Sequence, residues 1–195
     1  MNDFIFYFTL GWQHIISLDA LDHQLFILAL IVLYTLREWK RVFILITAFT
    51  IGHSITLALS TLHILTVPSN LVEFLIPCTI LLTAAANIIK PANVLKKVGL
   101  NYLLTMFFGL IHGLGFANTL RFMLARDQSL GWSLLSFNLG LEAGQIAVVV
   151  FLLLLAHIFI FYLKVKRRYW IVIISSVVLL VSIKMIIERF PYKII

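Results

Sequence analysis

The chain has little charge and almost no cysteine. Of its 195 residues only 12% are Asp, Glu, Lys or Arg, about half the share of a soluble domain, so a water-soluble globule is excluded. The single cysteine, Cys78, excludes an intrachain disulfide and any closed thiolate metal site. Beside Pro77 it reads as a small core residue. No Lys or Arg precedes Arg37, so the basic n-region of a signal peptide is missing and residues 1–11 are expected in the mature protein. Acidic residues are scarcer than basic ones, eight against fifteen, for a net charge of +7. In so apolar a chain that excess belongs to the loops, where it sets topology, and nucleic-acid binding is not expected.

What the chain does have is hydrophobic length: 62% of residues are apolar and the mean hydropathy is +1.07. A helix needs about 20 residues to cross about 30 Å of hydrocarbon. These runs predict an all-α integral membrane protein, a single transmembrane domain over 1–195. Six spans are expected at 18–36, 42–64, 71–89, 98–120, 133–163 and 169–187. Residues 4–17, with Tyr7 and Trp12, are expected to form an interfacial or re-entrant segment, because amphipathic aromatic rings favour the headgroup level. Pro68-Ser69-Asn70 starts the third span and Pro91 stops it. No long-period repeat or duplicated half is evident.

Loop charge orients the spans. Arg37, Lys40 and Arg41 follow span one, Lys90, Lys96 and Lys97 follow span three, and Lys164, Lys166, Arg167 and Arg168 follow span five. The opposite loops carry no charge (65–70) or a net +1 (Arg121, Arg126, Asp127). The basic side is expected to be cytoplasmic, with both termini outside, in the periplasm of a bacterium with this protein in its inner membrane.

Ionisable and amide groups inside such spans are costly unless partnered, which makes them candidate site residues. Asp19, Asp22 and His23 share one helix face at i, i+3, i+4, with His14 one or two turns earlier. Span two carries a stripe of Thr50, His53, Thr56, Ser60 and His63. Glu73 lies near the outer end of span three and Asn87 near its inner end. Span four places His112 among glycines, and span five carries Asn138, Glu142 and Gln145. Counting 1.5 Å per residue from the cytoplasmic ends puts His23, His53, His112 and Glu73 at roughly 18 to 24 Å, and Gln145 and Glu142 at roughly 27 to 31 Å. Helices of opposite direction thus deliver costly groups to one region, expected to be a single site toward the outside. Gly109/Gly113 and Gly140/Gly144 form small-xxx-small faces that either pack helices or make room for a ligand.

Imidazoles and carboxylates without thiolates suit a divalent transition metal, nickel, cobalt or zinc. His23, His53 and His112 are the candidate ligands, with Asp22 or Asp19 as ligand or orienter, and His14, Glu73, Asn138, Glu142 and Gln145 as alternative ligands or supporting groups. His63, near the headgroups, and His157, in the inner half of span five, are left out. Lys184 is expected to snorkel or pair locally and Arg189 to anchor at the interface.

These stretches carry a resemblance. Gly11-Trp12-Gln13-His14 through Leu18-Asp19-Ala20-Leu21-Asp22-His23, Phe49 to Leu57, Phe108 to Ala117 and Phe137 to Gln145 resemble, in order, the HupE/UreJ family of bacterial membrane proteins. The resemblance implies a link to hydrogenase and urease, both nickel enzymes, and a nickel or cobalt permease activity. Asp22-His23 is also similar to the aspartate-histidine signature of the broader nickel/cobalt permeases, although His14 lies further from Asp22 than that signature places its histidine. Three functions follow as expectations: transport of a divalent metal, an intramembrane metal-dependent hydrolase or acyltransferase with Glu73 or Glu142 as acid or base, and a metal-binding accessory subunit. Partners would be the metal ion and the bilayer, with a homo-oligomer or a larger membrane complex left open.

Overall fold

The computed structural model describes residues 3–17, 20–89, 98–124 and 130–191, with side chains at all of these except 98, 117–124 and 130. Asp19, Lys90, Pro91, Lys96, Lys97, Arg126 and Asp127 lie outside the described residues. Among the described residues every regular element is helical: α1 (Asp3–Ile16), α2 (Leu21–Ile31), α3 (Trp39–Thr61), α4 (Ser69–Ile89), α5 (Val98–Leu124), α6 (Leu130–His157) and α7 (Arg167–Glu188). A short turn of 3-10 helix precedes α3, and a π turn, Ile158–Tyr162, extends α6.

Five of these helices are long and apolar enough to cross a membrane, and the bent pair α1 and α2 makes a sixth crossing if counted as one. Large apolar side chains such as Leu82, Phe151 and Leu180 stay more than half exposed. In water that surface would drive aggregation; the protein is a membrane protein and lipid covers it.

The first span is not the single helix expected over 18–36. Helix α2 has only 11 residues, about 16 Å of rise, half the hydrocarbon thickness. It is bent 67° from α1, the geometry of a broken span or a re-entrant loop. Helix α1 is packed lengthwise on α6, which takes it into the bundle and off the interface.

That packing rests on glycine. A Cβ on Gly11 would stand 2.0 Å from the Phe137 carbonyl oxygen, and one on Gly140 2.0 Å from that of Phe8. Neither fits, so the two backbones touch. Farther along, Gly144 faces Trp12 and Ile15, so α1 and α6 run in the same direction. Helices α3 and α5 repeat this seam: a Cβ on Gly52 would stand 2.1 Å from the Met106 carbonyl oxygen, one on Gly109 2.2 Å from that of Phe49, and one on Gly113 2.3 Å from that of His53. The match extends to sequence, since Phe8-Thr9-Leu10-Gly11 on α1 corresponds to Phe49-Thr50-Ile51-Gly52 on α3. Taken as spans one and five against two and four, the two pairs run in opposite directions. These glycines pack helices; backbone fills the space that a ligand would need.

One end of the bundle is basic. Glu38, at the start of α3, lies 3.6 Å from Arg41 and 3.4 Å from Arg167, and Arg167 also donates to the Leu33 carbonyl. The first turns of α3 and α7 therefore share this end. At the other end are the last turn of α7 and the first of α4.

Candidate metal centre

Breaking a helix inside hydrocarbon exposes the last carbonyls of α1, which must find donors within the protein. Gln24 supplies them: its side-chain amide lies 3.1 Å from the Ile15 oxygen, 3.2 Å from Ile16 and 3.0 Å from Ser17. This clamp fastens the end of α1 to the first turn of α2, and so sets His14 beside His23.

The two rings stand 4.8 Å apart between centroids, with His53 of α3 5.8 Å from His23 and 6.2 Å from His14. One ligand nitrogen from each of His14, His23 and His53 lies within 4.8 Å of the others. Tetrahedral bonds of about 2.0–2.1 Å put donor atoms about 3.3 Å apart, so a contraction of up to about 1.5 Å closes the set on an ion. The ring of His112 on α5 lies beside that of His23, 5.1 Å between centroids.

The partners of these rings matter as much as their proximity. His23 Nδ1 is 3.0 Å from Asp22 Oδ1, and His112 Nδ1 is 2.8 Å from the Phe108 carbonyl. Each acceptor holds a proton on Nδ1 and leaves the Nε2 lone pair free, the usual outer-sphere arrangement of a metal-binding histidine. Among the described residues, His14 Nε2, His23 Nε2, both nitrogens of His53 and His112 Nε2 are buried without a hydrogen-bond partner. Buried polar atoms are nearly always satisfied, and unpartnered nitrogens on four neighbouring histidines call for a shared ligand.

A cavity of about 350 Å³ adjoins the cluster, lined by His14, Asp22, His23, Glu73, His112 and Arg189 among others. Since Glu73 is in the first turns of α4 and Arg189 caps α7, it lies at the end opposite the basic one. On the basic side the histidines rest on an aromatic floor: Phe26 stacks on Phe49 at 5.0 Å, and each is 5.1 Å from the His112 ring, with Phe108 5.8 Å from Phe26.

The expected site residues thus separate into groups. His14, His23, His53 and His112 converge, with His14 closer to the centre than its sequence spacing suggested. Asp22 orients His23 through Oδ1. Glu73 is exposed at the mouth, and Asp19 lies outside the described residues. Asn138 donates to the Leu134 carbonyl at 2.9 Å, one turn back on its own helix. Glu142 and Gln145 have other partners: Thr47 donates to Glu142 at 2.9 Å and Thr50 to Gln145 at 2.8 Å. Both threonines precede His53 on α3, by about 9 and 4.5 Å of helix, toward the basic end. Depth counting put Glu142 and Gln145 beyond the histidines because α6, at 28 residues and about 42 Å, exceeds the hydrocarbon, so distance along its tilted axis overstates depth. His63 ends α3 exposed, and His157 packs on Phe161 at 4.6 Å, so both stay outside the cluster.

The same segments that build this centre match a known family description, HupE / UreJ protein, over residues 1–189. The chain belongs to the HupE/UreJ family. Membership brings a role related to metal transport, and the cluster provides a histidine set able to hold a metal ion. No curated protein and no solved structure matches the chain. Two contributors in this HupE/UreJ chain escaped the sequence reading. Nothing in the sequence around Gln24 marks it, because only the break between Ile16 and Leu21 gives it carbonyls to clamp. Arg189 sits 3.4 Å from Asp22 Oδ2, a contact across 167 positions with no local signal.

Proposed function

We propose that the protein carries a divalent transition-metal ion, nickel or cobalt, across the bacterial inner membrane, capturing it on the periplasmic side through His14, His23, His53 and His112 and releasing it toward the basic, cytoplasmic end. The observation that carries this reading is the convergence, at a helix break, of four histidines whose buried ring nitrogens have no partner among the described residues. Neutral imidazoles bind nickel, cobalt and zinc alike, and the family role favours the first two. Asp22 raises the basicity of His23 and fixes its ring; Glu73 at the mouth attracts the cation before it loses its water.

Transport is favoured over intramembrane hydrolysis by the polar steps beyond the cluster. Thr50 with Gln145 and Thr47 with Glu142 continue from His53 along α3 toward the basic end, giving oxygen ligands between the cluster and that end. The aromatic floor under His112 closes the centre on that side, the form expected of a carrier open to the outside. Transfer along the Thr50 and Thr47 steps then follows a movement of the two glycine-seamed pairs against each other.

Calorimetry with Ni²⁺, Co²⁺ and Zn²⁺ on the detergent-purified protein tests the reading at its base. One ion per chain at micromolar or better affinity, lost on Asp22→Asn by about 10- to 100-fold, is the expected result. A protein that binds none of the three rules the reading out.

A further inference from the structure

Arg189 is a cation placed in the mouth of a cation site. Its Nη1 lies 3.4 Å from Asp22 Oδ2, while Asp22 Oδ1 holds His23 Nδ1 at 3.0 Å. The carboxylate is 14% and the guanidinium 32% exposed, and both line the cavity beside the histidines. The other charge lining that cavity among the described residues is Glu73. Nearby Lys184 is engaged with Glu188 at 3.6 Å on the outer face of α7. A guanidinium has no lone pair to offer a metal, so Arg189 is not a ligand. Its position costs the site part of the negative charge that would otherwise draw a metal ion.

We propose that Arg189 is a tethered competitor of the cargo. Resting on the cation-transport reading above, the proposal is that the guanidinium neutralises Asp22 in the empty site and leaves it when a divalent cation binds. An ion on His23 Nε2 draws electron density from the ring, makes Nδ1–H more acidic and strengthens its bond to Asp22. Asp22 serves that bond best when its charge is not shared with Arg189. A divalent ion offers Asp22 more positive charge than the guanidinium it displaces, whereas a monovalent ion offers no more, so the latch also discriminates by charge. It keeps the affinity low enough for release, since a site that binds too tightly cannot pass its ion on.

The test is equilibrium binding of Zn²⁺ and Ni²⁺ to the full chain in detergent, for wild type, Arg189→Gln and Arg189→Lys. Arg189→Gln is expected to bind about tenfold tighter, the ratio a part-buried ion pair supports, while Arg189→Lys, which keeps the charge, returns the affinity toward that of wild type. A second readout needs no variant: with arginine labelled by ¹⁵N, the Arg189 Nε–H resonance of wild type should shift on saturation with Zn²⁺ and stay put with K⁺. Arg189→Gln binding no tighter than wild type, Arg189→Lys binding as tightly as Arg189→Gln, or an unmoved Arg189 resonance at saturating Zn²⁺ would each overturn the proposal. If wild type itself binds neither metal, it is the transport reading that fails.

Discussion

Gly11 with Gly140, and Gly52 with Gly109, bring two pairs of parallel helices together in one register, yet the pairs carry different chemistry. Each seam puts backbone against backbone at the same offsets. On α3 the residue after the seam glycine is His53; on α1 it is Trp12. On α5 the third residue after it is His112; on α6 it is Ala143. The α3/α5 pair thus holds two imidazoles near its seam, while α1/α6 supplies His14 from the clamped end of α1 and Glu142 and Gln145 from the face turned to α3. The comparison teaches that packing and chemistry are separable here. Lipid gives helices no hydrophobic reason to associate, so the glycine contacts must be kept on both sides, and the polar residues are free to differ.

The largest effect should come from treating the matched positions as equals. His53→Ala is expected to weaken metal binding by 100-fold or more by calorimetry, and Trp12→Ala to change it by less than about threefold, because only His53 offers nitrogens to the ion. Comparable losses in both variants would break the assignment of chemistry to α3/α5.

Next in size are the seams. Gly109→Ala and Gly140→Ala each set a Cβ against a carbonyl oxygen, at 2.2 and 2.0 Å, and overpacking of this kind costs about 1–3 kcal/mol. Thermal or denaturant unfolding in detergent should show similar destabilisation in both. A seam that accepts alanine silently would end the equivalence of the two pairs.

The smallest static effect belongs to Glu142→Gln. This variant should bind Ni²⁺ within about threefold of wild type while slowing uptake into proteoliposomes by about tenfold, since Glu142 lies past the histidines along α3 and serves the ion only after capture. Loss of binding together with uptake would make Glu142 part of the capture site instead.

Much of this was readable in the chain. Apolar runs located α3 to α7, and the order of the motifs identified the family. The cost of burying imidazoles pointed to His23, His53 and His112, because single-helix periodicity and hydropathy act locally and leave local traces. What escaped depends on how distant segments meet. The break between Ile16 and Leu21 is stabilised by Gln24 reaching back across it, and that break brings His14 to the centre. Parallel seams link α1 to α6 across more than a hundred positions, and tilt moves Glu142 to the level of Thr47. Arg189, expected as an interfacial anchor, faces Asp22 because α7 ends level with the start of α2. None of these has a periodic signature.

The most direct measurement is Ni²⁺ or Co²⁺ uptake into proteoliposomes, read by a trapped chelating dye, for wild type beside His53→Ala. The account predicts that wild-type vesicles fill saturably with external metal and that His53→Ala vesicles fill no faster than protein-free ones. Equal uptake by the two proteins, or none by wild type that demonstrably binds the ion, would contradict it.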